Sequence, residues 1–454
     1  MPRIRALISG RTNVLATNVA ARVAALISLS LATLVIARTN GPAGVGIYAL
    51  LRVLPGLVGV VISAGLPGAV TYFLAGPERG NRQLPPTIVG MAVVGGIAGT
   101  LLWTAGAPVV GERLLPELSL GLVLLAGVTV LTQLSVATAK SCSQGTDDLP
   151  GANRVIVNEE FMFLPAYCGL WALGVGGFAA SVSGLLLADL ATSLLAWTRL
   201  TKRGFFRNAA PPSIELSRRI GSYGIRAQVG GIVSLLNLRL DFILLNVLTG
   251  PAILGVYAVA SKFAELLKIP ALALTYVLYP KYARDDQTTA AANARWLVPR
   301  AGALTAGAII PLWLAATYLI PALYGSDFRG AIAPAHIILF GLALEGVAAV
   351  ITAFLYGIGR PGLNSLGMAA GLALTLLLDV ALIPRFGAIG AATASAVAYA
   401  TSTLALMWFF WRVNQPARVS ARKRRPFGPL HRVTNALRLK LPSPAQDQAE
   451  GRKS

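Results

Sequence analysis

The chain has 454 residues, 55% of them hydrophobic and 13% charged, and its 39 Lys and Arg against 18 Asp and Glu give a net charge of +21. A mean hydropathy of +0.67 excludes a set of water-soluble domains. The basic residues border long uncharged stretches, so they read as membrane topology and contact with anionic membrane lipids, with no nucleic acid as partner.

A helix needs roughly 20 mostly apolar residues to cross the hydrocarbon, because its backbone satisfies its own hydrogen bonds there. Apolar runs between Gly, Pro and charge clusters predict about twelve such helices. They lie at roughly 14–37, 46–73, 86–107, 118–139, 153–173, 177–199, 218–247, 252–279, 296–323, 331–356, 363–384 and 388–412. The start has the basic-then-apolar order of a signal peptide. Its apolar run is too long for a signal core and contains Arg22, so it reads as the first helix. The fold class expected is therefore an all-α polytopic membrane protein.

Arg3, Arg5 and Arg11 precede the first helix, Arg199, Lys202, Arg203, Arg207, Arg218 and Arg219 follow the sixth, and Arg422, Lys423, Arg424 and Arg425 follow the last. The opposite side carries only the scattered Arg38, Arg113, Arg329 and Arg385. Positive charge stays in the cytoplasm, which puts both termini there and requires an even number of spans.

The phrase Gly41, Pro42, Ala43, Gly46, Tyr48, Ala49 returns as Gly250, Pro251, Ala252, Gly255, Tyr257, Ala258, at an offset of about 209. "PGAN" from Pro150 returns as "PGLN" from Pro361, and Gly174, Gly177 and Ala179 return as Gly387, Gly390 and Ala392. Three anchors in one order, six helices apart, predict two six-helix lobes related by a parallel internal repeat. The lobes expected are 1–199 and 218–412, joined by a basic linker at 200–217 and followed by a basic cytoplasmic tail at 413–454. Paired lobes of this kind enclose a cavity that opens alternately to the two sides, which points to transport. The Gly-Pro phrase itself reads as a tight turn.

Cys142, expected in a loop, and Cys168 offer no disulfide framework, and His336 and His431 stand apart. No metal site or cofactor is expected, and no nucleotide-binding P-loop occurs.

Ionisable side chains inside a membrane usually face a partner or a wet cavity. Those expected inside are Arg22, Arg52, Glu159, Glu160 and Asp189 in the first lobe, and Arg226, Arg239, Asp241, Lys262, Glu265, Lys268, Glu345 and Asp379 in the second. Lys262, Glu265 and Lys268 recur at a spacing that permits ion pairs along one side of a helix. If the repeat is symmetric, Arg22, Arg52 and Lys262 converge between the lobes, where cations hold an anionic group and arginine's fork fits phosphate. Glu265 and Arg239 join them as substrate-binding candidates. Asp241, Glu345 and Asp379 are the candidates for binding a proton or cation. Each of these residues also has a plain reading as half of an internal ion pair. In the tail, Leu430, Val433, Leu437 and Leu441 fall on one helical stripe, as in a helix lying on anionic lipid, with disorder the equal alternative.

The stretch "LRLDFILLNVLTGPAILGVYAVASKFAELLKIPALALTYVLYPKYAR", with "GIYALLRVLPGLVGVVISAGLPGAVTYFLA" and "RFGAIGAATASAVAY", resembles bacterial polysaccharide flippases of the Wzx type, in the multidrug/oligosaccharidyl-lipid/polysaccharide exporter superfamily. The resemblance covers residues 8–412. It implies a flippase, not an enzyme, that moves an undecaprenyl-diphosphate-linked oligosaccharide across the bacterial inner membrane, with cavity cations at Arg22, Arg52 and Lys262. It also implies glycosyltransferases and a polysaccharide polymerase as partners. Lipid II flippases carry two further C-terminal helices, and the basic, polar sequence after residue 412 argues against that branch. Two alternatives stay open: a cation-coupled drug or metabolite antiporter of the same superfamily, and a membrane glycosyltransferase or polymerase, which would need catalytic groups on a substantial outer loop.

Overall fold

The computed structural model describes residues 2–76, 78–283 and 285–415. Every regular element among them is helical. The first half runs through α1 (Pro2–Ile62), α2 (Leu66–Ala75), α3 (Leu84–Arg113), α4 (Leu120–Gly145), α5 (Leu149–Phe161), α6 (Phe163–Ala172) and α7 (Gly177–Lys202). The second half runs through α8 (Ile214–Thr249), α9 (Pro251–Glu265), α10 (Lys268–Tyr282), α11 (Gln287–Tyr324), α12 (Ile332–Gly341), α13 (Glu345–Gly357) and α14 (Pro361–Val413). The basic tail, with the stripe Leu430 to Leu441 and His431, lies outside the described residues.

Among the described residues, seven helical stretches are long and apolar enough to cross a membrane by length and composition. Two of them, 46 and 53 residues long, exceed any bilayer. Each holds a break, at Gly41 (φ 64°, ψ −164°) in α1 and at Gly387 (φ 52°, ψ −127°) in α14. Other expected spans are interrupted within. The turn Ser63–Gly65 divides 46–73, Met162 divides 153–173, Leu266 and Leu267 divide 252–279, and a 3-10 turn at Leu342–Leu344 divides 331–356. Runs of apolar residues carry no mark of such breaks, because hydropathy is blind to backbone direction.

Large apolar side chains point outward in mid-helix: Leu101 is 63% exposed, Leu194 65%, Leu304 71% and Leu377 71%. Such a surface would aggregate in water and is the normal exterior of a protein solvated by lipid. Inside, small residues let backbones approach. Gly127 lies against the Trp103 ring, whose Nε1 donates to the Val123 carbonyl at 2.7 Å, and Gly341 lies against the backbone of Ala396.

The two copies of the repeated phrase touch each other. A Cβ at Gly46 would run into the Pro251 carbonyl and stand 3.1 Å from Gly255 N, while a Cβ at Gly255 would run into the Pro42 carbonyl and stand 3.0 Å from Gly46 N. This reciprocity is what two-fold related surfaces produce when they meet on their own axis. The turn before each copy uses a glycine with positive φ, Gly41 at 64° and Gly250 at 89°, followed by a proline that opens the next helix.

On the opposite face the non-helical connection between the halves, residues 203–213, is shorter than the expected linker, because α7 continues to Lys202 and α8 starts at Ile214. It is held to the first half: Ala210 N donates to the Arg82 carbonyl and Ser213 N to Thr87 Oγ1. Arg219 pairs with Glu78 at 2.7 Å. Asp148 accepts two bonds of 2.8 Å from Arg199 and one of 3.1 Å from Gly151 N, capping α5. The Arg199 guanidinium holds the Asp148 carboxyl below the usual carboxylate range. Cys142, expected in a loop here, is buried within α4, which persists to Gly145.

Candidate functional site

The site begins with Tyr48, one copy of the repeated tyrosine. After the break at Gly41, α1 brings Tyr48 and Arg52, four residues apart, onto one face. Tyr48 is 1% exposed and packs on Phe163 at 4.7 Å, which packs on Tyr167 at 5.6 Å. Arg52 lies over the Tyr48 ring, 5.7 Å from its centroid, and donates Nη1 to the Tyr48 hydroxyl at 3.2 Å. Its fork also closes on Glu160 of α5, with Nη1 donating to Oε2 and Nη2 to Oε1, both at 2.6 Å. From the second half, Lys262 of α9 reaches the same ring at 5.9 Å and donates to Thr33 Oγ1 on α1. Arg52 and Lys262, four and five residues after the matched tyrosines, thus meet around one aromatic ring between the halves.

Arg52 opens onto a 210 Å³ cavity that is also lined by Gln133, Glu159 and Asp189. Glu159 is held by Lys140 at 3.0 Å, and Asp189 accepts from Thr132 at 3.3 Å.

In the second half the matched Tyr257, also 1% exposed, donates its hydroxyl to Asp241 at 2.6 Å and sits 2.9 Å from Ser395 Oγ. Asp241 also accepts from Phe242 N at 2.9 Å. Asp379 is 0% exposed, and neither of its carboxyl oxygens has a hydrogen-bond partner among the described residues. Arg239 stacks on Phe242 at 5.4 Å. Glu345 lines a 620 Å³ cavity with Thr275, Tyr279, Thr352 and Tyr356.

Two sequence expectations are corrected. Arg22 does not join the cluster: it is exposed, donates to Asn18 Oδ1 at 3.1 Å, and Asn18 donates to Asn153 Oδ1 at 2.7 Å. It precedes Thr33 by eleven residues, about 16 Å along the helix, so the convergence involves two cations. The ion pairs that the spacing of Lys262, Glu265 and Lys268 permits do not form among the described residues either. The helix breaks at Leu266 and Leu267, Lys262 turns to Thr33, and Lys268 donates to the Tyr399 hydroxyl at 3.3 Å. Glu265 and Arg239 remain within electrostatic range of Lys262. Sequence reasoning placed no weight on Tyr48 or Thr33, and left Glu160 undecided. The signal available for Tyr48 was its recurrence as Tyr257, which the adjoining turn masked. Among the described residues no group of three His, Cys, Asp or Glu is close enough to hold a metal ion.

Residues 12–284 match the family described as "Polysaccharide biosynthesis protein". The sequence is 23% identical over 237 residues to the "Probable low-salt glycan biosynthesis flippase Agl15" of Haloferax volcanii, covering 50% of each chain. The chain therefore spans about half the length of that relative. Among solved structures it is similar to the lipid II flippase MurJ in an inward closed conformation, with a TM-score of 0.70 at 15% identity over 88% of this chain and 87% of that one. It is similar also to a multidrug resistance MATE transporter of the MOP superfamily in an inward-facing conformation, with a TM-score of 0.67 at 15% identity over 87% and 94%. At such identity these likenesses establish a common fold.

Proposed function

Because the chain belongs to the polysaccharide biosynthesis protein family, we propose that it is a flippase for an undecaprenyl-diphosphate-linked oligosaccharide, working by alternating access. It is a multi-pass membrane protein acting on lipid-linked glycans. The observation that carries the finer reading is the meeting of Arg52 and Lys262 at the Tyr48 ring. A diphosphate carries charge enough for both cations, and a guanidinium fork matches two of its oxygens. The glycan needs a polar cavity, and the polyprenyl chain stays in lipid through a gap between the lobes. The lobes, 1–199 and 218–412, rock about the contact between the repeated phrases, with the linker and both termini on the cytoplasmic side of the bacterial inner membrane. Asp379 is the foremost ion-coupling candidate, since its buried carboxyl has no partner among the described residues and such a group is offset by binding a proton or a cation.

One observation favours the antiporter reading: the cavity beside Arg52 presents two acids, Glu159 and Asp189, to one arginine. Both readings are tested by reconstituting the full chain in liposomes with a lipid-linked oligosaccharide. Under the flippase reading Arg52→Gln and Lys262→Gln each reduce translocation at least about tenfold, the weight of one lost charge-assisted contact, while Arg52→Lys and Lys262→Arg retain part of it. Undiminished translocation in both neutral variants would remove Arg52 and Lys262 as the diphosphate site, and uptake of a lipophilic cation by a wild type that translocates no oligosaccharide would transfer the assignment to the antiporter.

A further inference from the structure

The fork of Arg52 is already occupied. Glu160 takes Nη1 and Nη2 with one oxygen each at 2.6 Å, as one face of a phosphate group would. The pair is half-buried, with side-chain exposures of 27% and 16%, so an incoming anion can reach it while bulk water screens it weakly. It joins α1 to α5 one residue before an interruption: α5 ends at Phe161 and α6 starts at Phe163, so Glu160 sits in the last turn of α5.

We propose that Glu160 is an internal counter-anion: it stands in for the substrate's diphosphate on Arg52 in the empty transporter, and the diphosphate displaces it. The inference rests on the flippase reading given above. A carboxylate and a phosphate oxygen compete for the same guanidinium donors, so the two cannot hold the fork together. The groups around Glu160 set the effect of its release. Arg52 holds it from α1 beside Tyr48, Glu159 adjoins it and is tied to Lys140 of α4, and Asp189 of α7 and Lys262 of α9 lie within electrostatic range of it. Once expelled, Glu160 shares its surroundings with two other acids, and the repulsion pushes the last turn of α5 away from Asp189. Substrate loading and loosening of the α1–α5 contact become one event. The exchange keeps Arg52 paired when the cavity is empty, and it rejects anions that bind too weakly to displace a bidentate carboxylate.

The test is binding of farnesyl diphosphate, a short prenyl diphosphate, to the full chain in nanodiscs, with wild type, Glu160→Gln, Arg52→Gln and the double variant. Glu160→Gln is expected to bind the probe at least about tenfold more tightly than wild type, Arg52→Gln to bind it at least about tenfold more weakly, and the double variant to resemble Arg52→Gln. Unchanged or weaker binding in Glu160→Gln, with the Arg52→Gln loss intact, overturns the counter-anion role and leaves the flippase reading standing. Unchanged binding in Arg52→Gln overturns the flippase site itself, and the counter-anion role with it. If Glu160→Gln fails to fold, Glu160→Asp decides: it keeps the charge but shortens the reach to the fork, so tighter binding upholds the proposal and unchanged binding rejects it.

Discussion

Alanine at Gly46 or Gly255 tests the central contact between the halves. In either variant the new methyl overlaps a carbonyl of the opposite copy, with the carbonyl carbon of Pro251 or Pro42 2.8 Å away. The obstacle is backbone on both sides, so no side chain can swing aside and the two halves have to separate locally. Overpacking of this kind costs about 1–3 kcal/mol, which lowers the population of the touching arrangement by about 5- to 150-fold relative to any arrangement that parts the two phrases. The two substitutions meet the same obstacle, so the double variant should cost less than the sum. Gly106→Ala, where nothing lies within 4 Å of the added methyl, serves as the control and should be neutral or slightly stabilising. The assay is a spin-label distance distribution between cysteines at Leu173 and Phe386, both exposed at chain turns on this face, after replacing Cys142 and Cys168. Wild type and Gly106→Ala should give the same short component, and Gly46→Ala and Gly255→Ala should shift it to longer distance with reduced translocation. Identical distributions and thermal midpoints in all four proteins would refute the reciprocal contact.

Asp148→Asn should lower stability by about 2–3 kcal/mol, combining a lost charge-assisted pair with a weakened helix cap, read as a fall in the thermal midpoint in detergent. Because Arg199 holds the Asp148 carboxyl below its unfolded range, the stabilisation is complete above about pH 4 and disappears as pH falls through the lower folded value. An Asp148→Asn protein should therefore lose less stability on acidification than wild type. Asp379→Asn should leave the stability within about 1 kcal/mol of wild type, read from the thermal midpoint, and abolish dependence of translocation on a pH gradient or a cation gradient. Retained dependence on both would remove Asp379 from the coupling step. Arg22→Gln should reduce translocation less than Lys262→Gln in the same liposomes, since Arg22 bonds to Asn18 away from the Tyr48 ring, and an equal loss would restore it to the site.

Glu160 shows what a one-dimensional reading cannot weigh. Two adjacent glutamates near the start of an expected span fit an ion pair and a substrate role equally well, because 108 residues separate Glu160 from Arg52 and nothing local to either names the other. Asp379 shows the same limit from the other side: its place in an apolar run marks it as costly, but only packing reveals that it has no partner among the described residues.

From the sequence alone, the need for a membrane, the helical class and the parallel repeat were legible, and Arg52 and Lys262 stood out as candidates. Each rests on a local or additive property: apolar length, backbone satisfaction in lipid, and self-similarity at a constant offset. Tertiary structure alone decided where the helices break, that Arg22 stands apart, that Lys262 leaves Glu265 for Thr33, and that the two copies of the phrase press on each other. These depend on distances between residues far apart in the chain, and on backbone angles at single residues such as Gly41, which hydropathy and spacing do not encode.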